Sequence, residues 1–355
     1  MPETLSIHHW KRTALYRQRL TNPAKPLDVC ARLNGLQAQF AFAPYYALKA
    51  RCEPDGLSGW GRGLVRSYGV RGTLHTFPEA DLPLYVHPET DPSHRDLDSF
   101  RDDPHASGLR KSTFAHIILE SLKGGPKTRR ELKDLCALSG MTREEGLSVF
   151  NAWGGLIRLL AVRGHICQEA MDPGRYRLCP PFESMEREKA AFVLAMRYFT
   201  HFGPASLRDA SYYFQKPQAQ MKRIMDQLPL RQKMVDGMVR YDLPEEGEES
   251  VLPDIPDILF LAGFDQLLLG FQKKANSFLP ARHLRGIFTK TGIIHPALLV
   301  SGDVAGRWNI NARKLTATLF EPVNKRRLAL VERAAQRYFG NEGLKEICVE
   351  NPKGR

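Results

Sequence analysis

Two neutral amides, Gln37 and Gln39, stand in the run Leu-Asn-Gly-Leu-Gln-Ala-Gln-Phe-Ala-Phe-Ala-Pro (33–44), among small and apolar neighbours. A carboxamide offers an acceptor oxygen and a donor nitrogen on one side chain, so a converging pair can fix a water molecule or a polarised group in a set orientation. On a regular helix, residues two apart point about 200° away from each other and cannot share a target. In an extended segment they face the same side. Gly35 permits a sharp turn, and Pro44 disfavours the α region for Ala43 while suiting the first turn of a new helix. The pair is therefore predicted to lie in a connector between two helices, with both amides on one small target. The plainer alternative is that two turn glutamines satisfy local backbone groups. A second Gln-Ala-Gln, at 218–220, lies in the polar run Lys-Pro-Gln-Ala-Gln-Met-Lys-Arg and reads as an exposed helix start.

Around this pair, Asn34, Lys49 and Arg51 are expected to hold nucleic acid, together with Arg71, Thr73 and His75 on a hairpin. His75, at the end of a strand, is either a half-buried strand residue or a base whose ordinary pKa near 6.5 suits proton transfer. Lys273, Lys274, Arg282, Arg285 and Lys290 surround predicted hairpin loops and form a DNA-holding cluster. Asp265 either caps local backbone or orients a catalytic partner. Asp102-Asp103 and Glu144-Glu145 read as solvated faces rather than paired acids.

Charge makes an anionic partner the first expectation. The chain has 355 residues, a formal net charge of +12 and a pI near 9.5, and cations that neutralise phosphates gain affinity by releasing counterions. Double-stranded DNA is the expected partner, bound by a monomer. No run is long enough to span a bilayer, no signal peptide is seen in residues 1–10, and no uninterrupted apolar face marks a membrane-surface helix. A cytoplasmic, nucleoid-associated location follows as an expectation. Six cysteines are scattered without Cys-x-x-Cys spacing, so neither zinc nor an iron–sulfur cluster is expected. No Walker A loop, dinucleotide fingerprint or zinc-deaminase pattern occurs, and no cofactor is expected.

The elements that must position these residues follow from periodicity. Helices are predicted at 6–19, 26–33, 44–52 and 57–67, then strands at 70–75 and 82–86, which is winged-helix order. Residues 88–108 read as a linker. Helices follow at 112–122, 128–136 (Thr128 N-cap, Glu131 three residues later) and 142–160, then a hairpin of 162–169 with 175–179. The same order returns with helices at 187–202, from 206 and at 217–228, and strands near 235 and at 239–243. Gly-Pro-Lys-Thr-Arg-Arg-Glu-Leu (125–132) and Gly-Pro-Ala-Ser-Leu-Arg-Asp-Ala (203–210) look like a diverged repeat. An acidic segment, 245–257, marks a boundary before short strands at 258–261, 297–301, 304–309 and 315–320, which suggest a small barrel or half-barrel. A basic amphipathic helix at 325–339 is expected to cover an edge. The predicted class is α+β: winged helices at 1–108, 109–182 and 183–250, then a β-barrel-like domain at 251–355.

Gly-Leu-Gln-Ala-Gln (35–39) followed by Pro44, Ala47, Leu48 and Arg51, Arg-Gly-Thr-Leu-His (71–75), Ala-Gly-Phe-Asp-Gln-Leu-Leu-Leu-Gly (262–270) and Gly-Asp-Val-Ala-Gly-Arg-Trp (302–308) occur in that order. In these segments the chain resembles the AlkZ family of bacterial DNA glycosylases. The resemblance implies tandem winged helices in a C-shaped arrangement with a C-terminal β-barrel. It also implies hydrolysis of the N-glycosidic bond at alkylated purines, crosslinked ones included, with Gln37 and Gln39 essential. Some relatives carry aspartate at the second glutamine, and Gln39 places this chain nearer the AlkZ than the YcaQ branch.

Neutral amides suit that chemistry. A purine alkylated at N7 is cationic and departs without prior protonation, so what remains is to position a water and to stabilise an oxocarbenium-like sugar. The alternative from another class is a non-enzymatic winged-helix regulator. Its repeated winged helices and basic charge fit, but the connector glutamines have no role in it, and no dimerisation helix is evident.

Overall fold

The computed structural model describes residues 2–87, 96–151, 154–183, 185–245, 247, 251–340 and 342–352. It is α+β, and it divides into two compact units, one formed by Met1–Ser58 with Met196–Arg355 and the other by Gly59–Ala195.

In the first unit, helices Ile7–Arg17, Pro26–Arg32 and Ala43–Lys49 begin where local chemistry places them. Ser6 Oγ accepts from the His9 amide at 3.1 Å, and Pro26 and Pro44 sit in first turns, where a missing N–H costs nothing. The first helix buries Trp10, Ala14 and Leu15 at helical spacing. Trp10 packs 5.2 Å from the Phe271 ring and 5.3 Å from Phe278, and its indole N–H donates to Pro204 O at 2.7 Å. Charged residues on the same helix and just past its end are buried but matched, Arg17 against Asp242 at 3.1 Å and Arg19 against Glu245 at 2.7 Å. Strand Glu3–Leu5 runs parallel to Arg231–Val235, which pairs antiparallel with Met238–Asp242.

The same unit contains a sheet of five strands in the order Ile258–Leu261, Ala297–Val300, Asp303–Asn311, Lys314–Leu319 and Glu346–Glu350. Alternation gives it one apolar face: Leu315, Ala317 and Leu319 are buried with Phe260, Leu298 and Trp308. Helix Lys325–Phe339 lays Val331, Ala335 and Phe339 on that face. Among the described residues the sheet stays open, so the expected barrel is corrected. After Lys314–Leu319 the chain spends itself on the helix and returns as a parallel edge strand, Glu346–Glu350, which the sequence reading had not placed. The helix therefore covers a face rather than an edge.

In the second unit, strands run in the order Leu74–Pro78, Leu64–Tyr68, Ile166–Glu169, Arg175–Leu178 and Lys127–Thr128. Helices Gly108–Lys123, Arg129–Leu138, Arg143–Val149 and Gly155–Val162 bury Phe114, Ile118, Leu132, Val149, Leu156 and Leu160 together. Thr128 with Glu131, and Thr142 with Glu145, form reciprocal capping boxes.

Several expected elements are corrected here. Residues 57–67 are not a helix, because Gly59 and Gly63 adopt φ of +64° and +73°, and the stretch ends in strand Leu64–Tyr68. The hairpin is Leu64–Tyr68 with Leu74–Pro78, joined by a tight turn at Val70–Gly72, while residues 82–85 form a short helical turn entered through Pro83. The helix expected at 142–160 is two helices, Arg143–Val149 and Gly155–Val162. Of the linker expected at 88–108, residues 88–95 lie outside the described residues, as do 246 and 248–250 of the acidic boundary. The described remainder is tied down: Ser112 Oγ donates to Leu97 O at 2.6 Å, and Lys111 pairs with Asp103 at 2.7 Å. Asp103 is thus bonded though exposed, and Glu145 is buried, accepting from Arg110 at 2.5 Å.

Candidate active site

Helix Pro26–Arg32 ends at a turn in which Asn34 and Gly35 take left-handed φ of +54° and +83°. That conformation suits asparagine and glycine, and it reverses the chain into the extended pair Leu36–Gln37 before the bend that leads to helix Ala43–Lys49. The glutamines do lie in a connector between helices. Their environments differ: Gln37 is 7% exposed, whereas Gln39 stands in solvent. The Gln37 Oε1 atom is buried and has no hydrogen-bond partner among the described residues. An unmet buried acceptor is costly, and here it sits on the side chain singled out for chemistry. Next to Gln39, the Phe42 ring is half exposed and stacks on Phe40 with centroids 5.8 Å apart.

The connector is braced by the segment 262–270. The Gln266 side-chain N–H donates to Gly35 O at 2.8 Å, and the Phe264 ring meets Phe40 edge-on at 5.3 Å. One residue earlier, Asp265 receives Arg51 Nη1 and Nη2 at 2.9 and 2.7 Å and also caps the turn Gln266–Leu269 by accepting from Leu267 N–H at 2.9 Å. Of the two roles weighed for Asp265 in the sequence, capping is the one seen, and the side chain that the same carboxylate holds is Arg51. The next motif closes the frame, because Trp308 Nε1 donates to Leu261 O at 2.9 Å and its ring packs 5.1 Å from Tyr46.

Helix Ala43–Lys49 is held from its other side by Glu342. That carboxylate accepts from Tyr45 Oη at 3.0 Å and pairs with Lys49, whose ammonium lies 5.4 Å from the Tyr338 ring centroid. Burial, with Glu342 beside it, pushes the Tyr45 phenol up to about 12, so it stays a neutral donor.

The profile of the DNA glycosylase AlkZ-like family matches residues 30–340. The chain belongs to the AlkZ-like DNA glycosylase family. A relative in this family, the interstrand DNA cross-link repair glycosylase of Streptomyces sahachiroi, is 23% identical over 364 residues, covering 97% of each chain. The solved structure of Streptomyces sahachiroi DNA glycosylase AlkZ is 21% identical, covers 99% of this chain and 100% of its own, and superposes with a TM-score of 0.73. The α+β fold is therefore shared, and this AlkZ-like protein is a DNA glycosylase, a hydrolase by class.

Several sequence-predicted DNA contacts of the glycosylase are relocated by the fold. Arg51 is fully buried in its bidentate pair with Asp265 and donates also to Gln18 O and Ala47 O at 2.9 and 3.0 Å, so it braces helices instead of meeting phosphate. Asn34 is fully buried and takes the left-handed φ of the turn, out of reach of DNA in this conformation. Lys49 is engaged by Glu342. His75 is 2% exposed on strand Leu74–Pro78, and burial pulls its pKa down to about 4. Its Nδ1 lies 2.8 Å from Thr73 O, so the neutral ring carries its proton on Nδ1 and leaves Nε2 as an acceptor. Arg71 and Thr73 are half-buried, with Thr73 Oγ1 donating to Val70 O at 3.3 Å. Lys273, Lys274, Arg285 and Lys290 are exposed, and Arg282 is exposed but paired with Glu321. Gln218 and Gln220 are exposed at the start of helix Gln218–Met225. Sequence reading gave no role to Gln266 or Phe264. Their only signal was membership of a family-like segment, since their partners lie more than two hundred residues away, 231 for Gln266 and Gly35.

Among the described residues, no group of three or more His, Cys, Asp or Glu side chains is arranged to hold a metal ion, and no helix is long and apolar enough to cross a membrane.

Proposed function

We propose that this glycosylase hydrolyses the N-glycosidic bond of cationic purines, alkylated at N7 or N3, in double-stranded DNA, with Gln37 and Gln39 acting at the reacting centre. The observation that carries the reading is the buried, unpartnered Gln37 Oε1 on a connector braced by Gln266, Phe264 and Asp265. Water adds to C1′ as the bond to the base nitrogen breaks, the bonding pair passes to the purine and cancels its positive charge, and the proton of the attacking water leaves to solvent. No acid is needed at the leaving base. A carboxamide oxygen can accept from the water and lie close to the oxocarbenium-like sugar while remaining neutral, and a braced connector holds it there without reorganisation.

The substrate class extends to bulky N7 adducts and interstrand crosslinks, a reading supported by the cross-link repair named for the Streptomyces sahachiroi relative. Arg71, Thr73, Lys273, Lys274, Arg282, Arg285 and Lys290 are the residues proposed to hold the backbone, by a monomer acting without cofactor. The helix and hairpin order at 108–178 supports winged-helix architecture, with proposed domain boundaries at residues 108, 182 and 250. The test is release of free base from duplexes containing N7-methylguanine, a larger N7-alkylguanine or uracil. Release of both alkylguanines and not of uracil is expected. Efficient uracil release, or exclusion of every bulky N7 adduct, would contradict the cationic-leaving-group mechanism.

A further inference from the structure

The most exposed aromatic ring among the described residues stands on the connector that carries Gln37 and Gln39. It belongs to Phe42, which is 52% exposed and sits directly ahead of helix Ala43–Lys49. A phenyl ring left in water forgoes the stabilisation of burial, yet a single exposed apolar side chain is ordinary. Phe42 differs in how it is supported. Its ring lies nearly parallel to Phe40, with centroids 5.8 Å and planes 14° apart, and meets Tyr46 at 6.3 Å and 72°. Behind these, Phe40 meets buried Phe264 at 5.3 Å, and Tyr46 meets buried Trp308 at 5.1 Å. Each separation lies in the range of favourable aromatic pairs. The ring is thus the outer member of an aromatic stack anchored in the core.

Gln39 is three residues away, so the two Cα atoms are at most about 11 Å apart. A lesion whose glycosidic bond is set against the glutamines brings its base within reach of this ring. Every base has a π face that stacks on an aromatic side chain. A purine alkylated at N7 or N3 adds a positive charge, which the negative face of a phenyl ring attracts. A ring offered from one side also leaves room for a bulky substituent, unlike a pocket that encloses the base. Resting on the cationic-purine reading above, we propose that Phe42 is a specificity-determining residue whose exposed ring stacks on the alkylated purine and favours a cationic base over a neutral one. The attraction belongs to the bound substrate, because the base loses its charge as the glycosidic bond breaks. The ring therefore selects the lesion and leaves acceleration of bond breaking to the connector amides.

The test compares two duplexes of one sequence. The first contains N7-methylguanine on a 2′-fluorinated sugar, whose electron withdrawal blocks base release, and the second its neutral 7-methyl-7-deaza counterpart of the same shape. Equilibrium binding to both is measured for the full-length wild type, Phe42→Leu and Phe42→Trp, with thermal melting to confirm that each is folded. Single-turnover release from unfluorinated N7-methylguanine DNA, followed against enzyme concentration, separates half-saturation from limiting rate. Wild type is expected to prefer the cationic duplex. Phe42→Leu should lose about threefold or more of its affinity for that duplex with little change on the neutral one, and Phe42→Trp should restore it. Half-saturation should rise in step in Phe42→Leu while the limiting rate stays within about twofold. A Phe42→Leu variant that keeps the wild-type preference would overturn the proposal and leave the substrate reading intact. Equal losses on the two duplexes would also overturn it, since the ring would then serve DNA binding at large. A wild type that does not distinguish the duplexes would remove the cationic-purine reading and this inference with it.

Discussion

The Gln266 carboxamide donates to the carbonyl of Gly35 at 2.8 Å, so a buried side chain from the segment 262–270 is bonded to the turn two residues ahead of Gln37. Replacing Gln266 with leucine leaves the Gly35 carbonyl without that donor, at a cost of about 1–3 kcal/mol. If the bond positions Gln37, single-turnover base release by Gln266→Leu should fall by about tenfold or more while duplex affinity changes little. Denaturant melting and binding titration, measured beside the rate, separate the two effects. An unchanged rate in a destabilised variant would make the bond purely structural.

Arg51 and Asp265 form a fully buried bidentate pair. Asp265→Ala strands a buried guanidinium, and a loss of about 3–5 kcal/mol is expected in chemical denaturation. Arg51→Ala should likewise reduce stability and leave the salt dependence of DNA binding of the folded fraction unchanged. A fall in the salt slope for Arg51→Ala would return this residue to the phosphate contacts.

His75 predicts a pH dependence. Its folded pKa, about 4, lies below the ordinary 6.5 because the imidazole is buried. The unfolded chain binds this proton more tightly, so the contribution to stability is whole above pH 6.5 and is lost as pH falls toward 4. Its size is on the order of 3 kcal/mol. His201 is shifted in the same direction by burial, so the measurement is a difference. His75→Gln should lose less stability than wild type between pH 6.5 and pH 4, and parallel curves would refute the assignment.

Gln218 and Gln220 repeat the connector's sequence on an exposed helix start. Alanine at either should leave stability within about 0.5 kcal/mol and base release unaltered. A rate loss comparable with that of connector variants would show that the motif's sequence, rather than its setting, had been misread.

What could be read from the sequence followed the range over which each interaction acts. The capping boxes at Thr128 and Thr142 lie within four residues and were legible, as was the connector, because Gly35 and Pro44 act on their neighbours. The stretch 57–67 misled because Leu57, Trp60 and Leu64 keep helical spacing, while Gly59 and Gly63 take left-handed φ. Residues 82–86 misled in the opposite sense: Leu82, Leu84 and Val86 are alternately buried, yet the segment is one helical turn. Net charge drew Arg51 toward DNA, and only the fold shows Asp265 paired with it and the left-handed turn that the neutral Asn34 occupies. The brace from Gln266 to Gly35 has no local signature.

The account rests most directly on Gln37 and Gln39. Single-turnover release of N7-methylguanine from a duplex should be measured for Gln37→Ala and Gln39→Ala together with equilibrium binding to the same duplex. Neutral side chains add little to phosphate electrostatics, so each variant is predicted to bind within about twofold of wild type and to lose at least about a hundredfold in release, the scale reported for loss of a single group that stabilises transition-state charge. Release that falls only in proportion to binding, or that survives both substitutions, would contradict it.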